Sequence, residues 1–259
     1  AGEHRTLGQP AGADAACQAL AFLQSQHLRD GRLLATGAGG EARGMAFLDD
    51  HAFLADAILE LCTVRFDADA LRLGARLLDV LLAHFEDPVH GGFWFTADDH
   101  ETLITRSRSF SDDAIPSGNG VAALALQRYG YLLGESRYLV AAARCLRAAG
   151  AQLARDSLSH ATLLGALEEY LHPPEIVILR GRTTDIEPWR RQLAKLYAPR
   201  RLVYAIPDDA RDLPDALAAK TALPDRVSAY VCRGAVCSAP VHTLQLLSAE
   251  LARGGDADR

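Results

Sequence analysis

Apolar positions recur at helical spacing along the first two thirds of the chain. In FLDDHAFLADAILELC (47–62), Phe47, Phe53, Leu54, Ala57, Ile58 and Leu61 mark one face at the α-helical period. NGVAALALQRYGYLL (119–133) and SLSHATLLGALEEYL (157–171) read as helices in the same way. A second pattern unites LGQPAGADAACQAL (7–20), RFDADALRLGARLL (65–78) and LGESRYLVAAARCL (133–146). Each opens on a turn with a small or acidic residue and continues as an Ala/Leu helix. Ala16, Gly74 and Ala142 fall in register, and Leu20, Leu78 and Leu146 close the same stripe. The segments lie 58 and 68 residues apart, too far for a simple solenoid repeat. The chain is therefore expected to alternate inner and outer helices. Ala55, Ala57, Ala122, Ala125 and Gly165 let neighbouring helices approach closely, and stacked hairpins of this kind curve into a superhelix or ring.

The pattern changes at His172-Pro173-Pro174, where the proline pair ends a helix. EIVILRG (175–181) is a continuous apolar strand closed by Gly. A helix from Glu187 to Tyr197 and a second strand, RLVYAIP (201–207), follow. SAYVCRGAVCSAPV (228–241) reads as a β-hairpin turning at Arg233-Gly234, and an amphipathic helix over 242–252 comes last. The expected architecture is mainly α: helical hairpins over 1–172, then a small α/β segment with a partly parallel sheet over 173–259. No glycine-rich phosphate loop appears, which argues against a nucleotide site.

Composition narrows the picture. A formal net charge of -6 over 259 residues gives no reason to expect nucleic acid or an anionic membrane as partner. The apolar run LLDVLLAHF (77–85) already contains Asp79 and His84 and is too short to span a bilayer. The N-terminus lacks an initiating Met and the features of a signal peptide, so it reads as a cut. Cys17, Cys62 and Cys145 sit in apolar helical stretches and read as small buried hydrophobes, which fits a reducing, cytoplasmic setting. Cys232 and Cys237 face each other across a hairpin. Reduced buried thiols are the favoured account of them, with a redox-active disulfide as the alternative. Their spacing matches no zinc motif, and neither a metal nor a cofactor is expected.

MAFLDDHAF (45–53), HFEDPVHGGFWFTADDHETLITR (84–106), DDAIPSGNGVAALAL (112–126), PPEIVI (173–178) and AYVCRGAVCSAPV (229–241) occur in this order. Together they resemble the C-terminal half of the YyaL-type, or spermatogenesis-associated thioredoxin-domain, family. That resemblance implies a six-hairpin (α/α) barrel related in shape to N-acylglucosamine 2-epimerases and several glycosidases. The family's thioredoxin-like domain and first barrel helices have no counterpart here. An incomplete toroid is thus expected, with roughly three or four of about six hairpins. An open ring edge would expose apolar helix faces, and self-association through it is expected. His51 departs from the family, which more often shows an aromatic residue at that place.

The loop from Glu86 to Asn119 is the richest in chemistry. An aromatic face beside carboxylates and amides suits a sugar, whose C–H face stacks while its hydroxyls hydrogen-bond. Trp94, Phe95, Asp98, Asp99, Arg106, Ser117 and Asn119 are the expected binding residues. Core packing for Trp94 and helix capping for Ser117 or Asn119 are the structural alternatives. Asp50 and Asp112 could pair as acid and base for glycoside hydrolysis, against a plain helix-start role for Asp49 and Asp50. His51 and His100 would be the proton carriers of an epimerase. The function expected is a carbohydrate-binding or carbohydrate-processing cleft, and the rival is a non-catalytic scaffold for protein interaction.

Overall fold

A computed structural model describes residues 10–101 and 103–255. The first residues of the 7–20 segment and Thr102 of the 84–106 motif lie outside them. The fold is helix-rich and mixed with two small sheets. Helix α1 (Pro10–Gln26) leads into an antiparallel sheet of β1 (Leu28–Arg29), β2 (Arg32–Ala38) and β3 (Glu41–Met45). Helical periodicity gave no sign of this sheet. Its two turns, Asp30-Gly31 (φ 51° and 80°) and Gly39-Gly40 (φ 63° and 85°), hold both central residues at positive φ. That is the turn whose twist matches a two-residue hairpin.

Five helices follow: α2 (Leu48–Val64), α3 (Ala68–Val80), α4 (Gly118–Leu133), α5 (Ser136–Arg155) and α6 (Ala161–Leu171). A π-helical turn, Leu81–Phe85, extends α3. Helices α2, α4 and α6 pack side by side, while α3 folds back on α2 and α5 on α4. Gly118 lies against Leu48 and Asp49, and Gly120 against Thr162, so the N-termini of the three adjacent helices share one end. Their starts are fixed locally. Asp67 caps α3 by accepting from Asp69 N and Ala70 N, and Ser117 Oγ caps α4 by accepting from Gly120 N at 3.1 Å. Arg128 ties α2, α4 and α6 together through Asp56 (3.2 Å), Glu60 (3.9 Å) and Glu169 (2.6 Å).

The second sheet has the order β5-β4-β6-β7, formed by β4 (Glu175–Gly181), β5 (Arg201–Pro207), β6 (Ser228–Arg233) and β7 (Val236–Cys237). Strands β4 and β5 are parallel, joined by α7 (Thr183–Ala194), and β6 runs antiparallel to β4. A short α8 (Asp215–Ala218) precedes β6, and α9 (Leu244–Gly255) ends the described chain. Ile176, Ile178, Tyr204 and Ile206 on one sheet face join the core of the helices. Val177, Leu179 and Val231 on the other pack with Ile186 and Trp189 of α7 and Leu247 and Leu251 of α9. Burial on both faces accounts for the unbroken apolar run of β4. Helix α7 begins four residues earlier than the sequence suggests and ends at Ala194. Among the described residues, no helix is long and apolar enough to cross a membrane.

Cys232 and Cys237 form a disulfide, which corrects the reading of both as reduced thiols. The β6–β7 register places them directly opposite each other. Cys62 and Cys145 are buried and free, and burial pushes each thiol up to about 12, so neither is a nucleophile at neutral pH.

Candidate functional site

Residues 106–111, Arg-Ser-Arg-Ser-Phe-Ser, alternate two kinds of side chain. Arg106 and Arg108 lie over Trp94, and Arg108 also lies over Phe110. Arg108 Cζ lies 4.9 Å from the Trp94 ring centroid and 5.6 Å from that of Phe110, and Arg106 Cζ lies 5.5 Å from Trp94. Ser107, Ser109 and Ser111 line a cleft of about 260 Å³ between the N-termini of α2 and α4. Asp49, Asp113, Phe95 and Ser117 line it as well. Phe95 stacks on Phe47 at 4.8 Å between ring centroids and remains 37% exposed, which leaves an aromatic surface available at the cleft. Asp49 sits directly against Gly118, where any side chain would collide with its carboxylate. Burial, and then the neighbouring Asp50, raise the Asp49 pKa above the usual carboxylate range. The cleft thus combines two carboxyl groups, four serine hydroxyls and an aromatic face.

The pair expected from sequence, Asp50 and Asp112, lies one residue away from the two cleft carboxylates on either side. Asp50 Oδ2 accepts from Phe47 N at 2.8 Å and fixes the first turn of α2. Asp112 accepts from Ser117 N (2.9 Å) and Thr162 N (2.8 Å), pinning the start of α4 to the start of α6. Burial opposes its charge, but the bonds from Thr162 and Ser117 outweigh burial and hold its pKa below the usual range. A depressed carboxylate pKa contributes stability that is present above the unfolded value, near 3.9, and lost as pH falls through the folded value. Asp112→Asn is expected to cost about 1–2 kcal/mol at pH 7, by losing charge-assisted bonds, and to flatten the wild-type stability loss below about pH 4. Urea midpoints at pH 7 and pH 3 check both effects.

The remaining sequence candidates fall into two groups. Ser117 caps α4 and also lines the cleft. Asn119 is wholly buried and bonds Phe93 N (2.7 Å), Phe93 O (2.9 Å) and Ser109 O (2.9 Å), so it braces the loop and touches no cleft surface. Trp94 carries its two arginines. Arg106 donates to His84 O (3.2 Å) and to Thr96 O. His51 is 1% exposed and its Nδ1 bonds Phe47 O at 2.8 Å, and burial lowers its pKa and keeps it neutral. His100 stacks on Phe47 at 5.4 Å.

Asp98 and Asp99 gather around a residue that sequence reasoning passed over, His84. Its Nδ1 lies 2.8 Å from Asp98 Oδ1 and 3.8 Å from Asp99 Oδ2. Arg32 of β2 binds Asp99 with both guanidinium nitrogens, at 2.5 and 2.9 Å, and this is the main cause of a lowered Asp99 pKa. His84, Asp98 and Asp99 bring one ligand atom each within 4.8 Å of one another, the spacing a metal ion requires. Arg32 already supplies positive charge there, so the group is accounted for as an ion-pair network joining the first sheet to the loop.

No family model matches the chain. Its architecture, adjacent parallel helices with antiparallel partners followed by a three-layer α/β unit, defines the class of protein. The chain is similar to Spermatogenesis-associated protein 20 from Homo sapiens, 26% identical over 254 residues, covering 91% of this chain and 32% of that protein. The rat protein of the same name is 26% identical over 228 residues, covering 82% and 29%. A Caenorhabditis elegans protein described as uncharacterized is 24% identical over 220 residues, covering 82% and 30%. The chain therefore spans about a third of the length of the curated relatives it matches.

Proposed function

We propose that the cleft at the N-termini of α2 and α4 binds a small polyhydroxylated, sugar-like ligand, in a chain that forms the C-terminal portion of a spermatogenesis-associated thioredoxin-domain protein. The observation that carries this reading is the lining: Asp49 and Asp113 beside Ser107, Ser109, Ser111 and Ser117, with Phe95 at the edge. Carboxylates and hydroxyls accept from and donate to ligand hydroxyls, and an aromatic face takes the C–H side of a pyranose. The parallel helices with returning partners support a partial (α/α) toroid, in which such a cleft lies at the shared helix ends. Asp49, with its raised pKa, is assigned as the proton donor, and the exposed Asp113 across the cleft as its partner. This pairing replaces Asp50 with Asp112 as the acid–base set of a carbohydrate-processing reaction.

A panel of neutral and amino monosaccharides, followed by thermal shift and calorimetry, tests the reading. A saturable rise in melting temperature is expected for at least one sugar. Asp49→Asn should weaken it about tenfold or more, the cost of losing a charged hydrogen bond. The same change should leave the free protein equally or more stable at pH 7, because a carboxylate whose folded pKa is raised costs stability above its unfolded pKa. An unchanged melting temperature across the panel would sink the reading and favour a non-catalytic scaffold.

A further inference from the structure

A second cavity, about 340 Å³, lies at the C-terminal ends of the parallel strands β4 and β5, far along the chain from the sugar cleft. Open α/β sheets bind ligands at this edge. Arg180 lines it from the last turn of β4. That arginine is only 6% exposed, yet its Nε and Nη1 have no hydrogen-bond partner. Among the described residues it forms no ion pair. A guanidinium is always charged and offers a rigid fork of donors, and leaving that fork buried and unmatched is costly. The same burial is what makes a bound anion worth more there than at the surface.

The other charges of the cavity refine the match. Asp185 and Asp225 are already engaged by Arg182, at 2.8 and 3.5 Å. Asp208 also lines the cavity and acts on Arg180 only at a distance, and among the described residues no carboxylate pairs with Arg180. Arg182 and Asp185 also mark the start of the twelve-residue helix α7, whose first N–H groups lack intrahelical partners and whose dipole favours negative charge. The formal charges of the lining balance, so net attraction does not select the ligand; the unmatched donors do.

We infer that this cavity is a binding site for a compact phosphate-type oxyanion, held by the buried fork of Arg180 with Arg226 at the rim. The site is separate from the sugar cleft and does not depend on it.

Inorganic phosphate is the probe, titrated into the full chain at constant ionic strength and followed by calorimetry and melting temperature. The wild type should bind saturably at one site. Arg180→Met, which replaces the fork with an apolar chain of similar length, should lose at least tenfold in affinity while melting no lower than the wild type in phosphate-free buffer. Arg226→Glu, at the exposed rim, gives an independent check that leaves the core intact and should weaken binding as well. Absence of saturable phosphate binding in the wild type overturns the inference. So does binding that Arg180→Met and Arg226→Glu both retain, or a response to acetate alone, which would assign a carboxylate instead.

Discussion

Arg128→Met is expected to destabilise the protein by about 3–5 kcal/mol at pH 7, and to do so much less at pH 5. Removing one partner of a buried ion network leaves the others uncompensated, which costs more than the network itself contributes. Here the side chains left behind are Asp56, Glu60 and Glu169, with 31%, 24% and 10% of their surface exposed. Asp56 already has a raised pKa, because burial outweighs the pull of Arg128. Without that pull, the folded state would hold a proton on Asp56 more tightly still. Between the unfolded carboxylate pKa, near 4, and the raised folded value of Asp56, the folded variant binds more protons than its unfolded chain. Its stability therefore rises as pH falls through that window. Urea denaturation of both proteins at pH 7 and pH 5 gives the comparison. A deficit of equal size at both values would mean that the arginine acts through packing and not through charge.

Asn119→Ala should cost about 3–5 kcal/mol and take the cleft with it. The side chain satisfies three backbone groups: Phe93 N and Phe93 O, which are wholly buried, and Ser109 O at the edge of the cleft. Each buried group left unmatched costs about 1–3 kcal/mol, offset in part by local relaxation. Ser109 is a wall of the cleft, so losing its anchor also loosens the serine row. The expected signature is a lower urea midpoint together with lost hydrogen-exchange protection at the Phe93 amide. Sugar binding that survived such a loss of protection would separate the cleft from its brace.

Much of this fold can be read from residue order, and the failures have physical causes. EIVILRG and RLVYAIP are legible because burial on both faces or one leaves a run or alternation of β-branched and aliphatic residues with no helical period. The helices are legible because apolar residues recur at helical spacing, as a stripe on α3 and α5 and almost all round the buried α4. The sheet over 28–45 is not, since its strands are short and carry glycine, alanine and arginine in place of an alternating apolar face. The signal that would have revealed it was Asp30-Gly31 and Gly39-Gly40, both two-residue turn dipeptides. The cleft lies among the loops that the sequence singles out, and Asp49 and Asp113 line it where Asp50 and Asp112 do not. Asp49 and Asp50 differ only in which of them reaches back to Phe47 N, a matter of one helical residue that spacing does not decide. Asp112 and Asp113 are separated in the same way by the bond to Thr162 N, fifty residues distant. The alternation in Arg106–Ser111 was available and would have pointed to the serine row.

The core that runs without interruption from the helices into the second sheet has a bearing on how the chain reaches this structure. Ile176, Ile178, Leu202, Tyr204 and Ile206 complete an apolar surface begun by residues more than a hundred positions earlier, such as Ile58 and Cys62. Contacts at such separation are slow to form, because a long loop must close before they return any energy. During synthesis, α2 and α4 would stand with one flank uncovered until the strands over 175–206 emerge. The helices are in that sense waiting for the sheet, and that interval is when the nascent chain most needs protection from its neighbours.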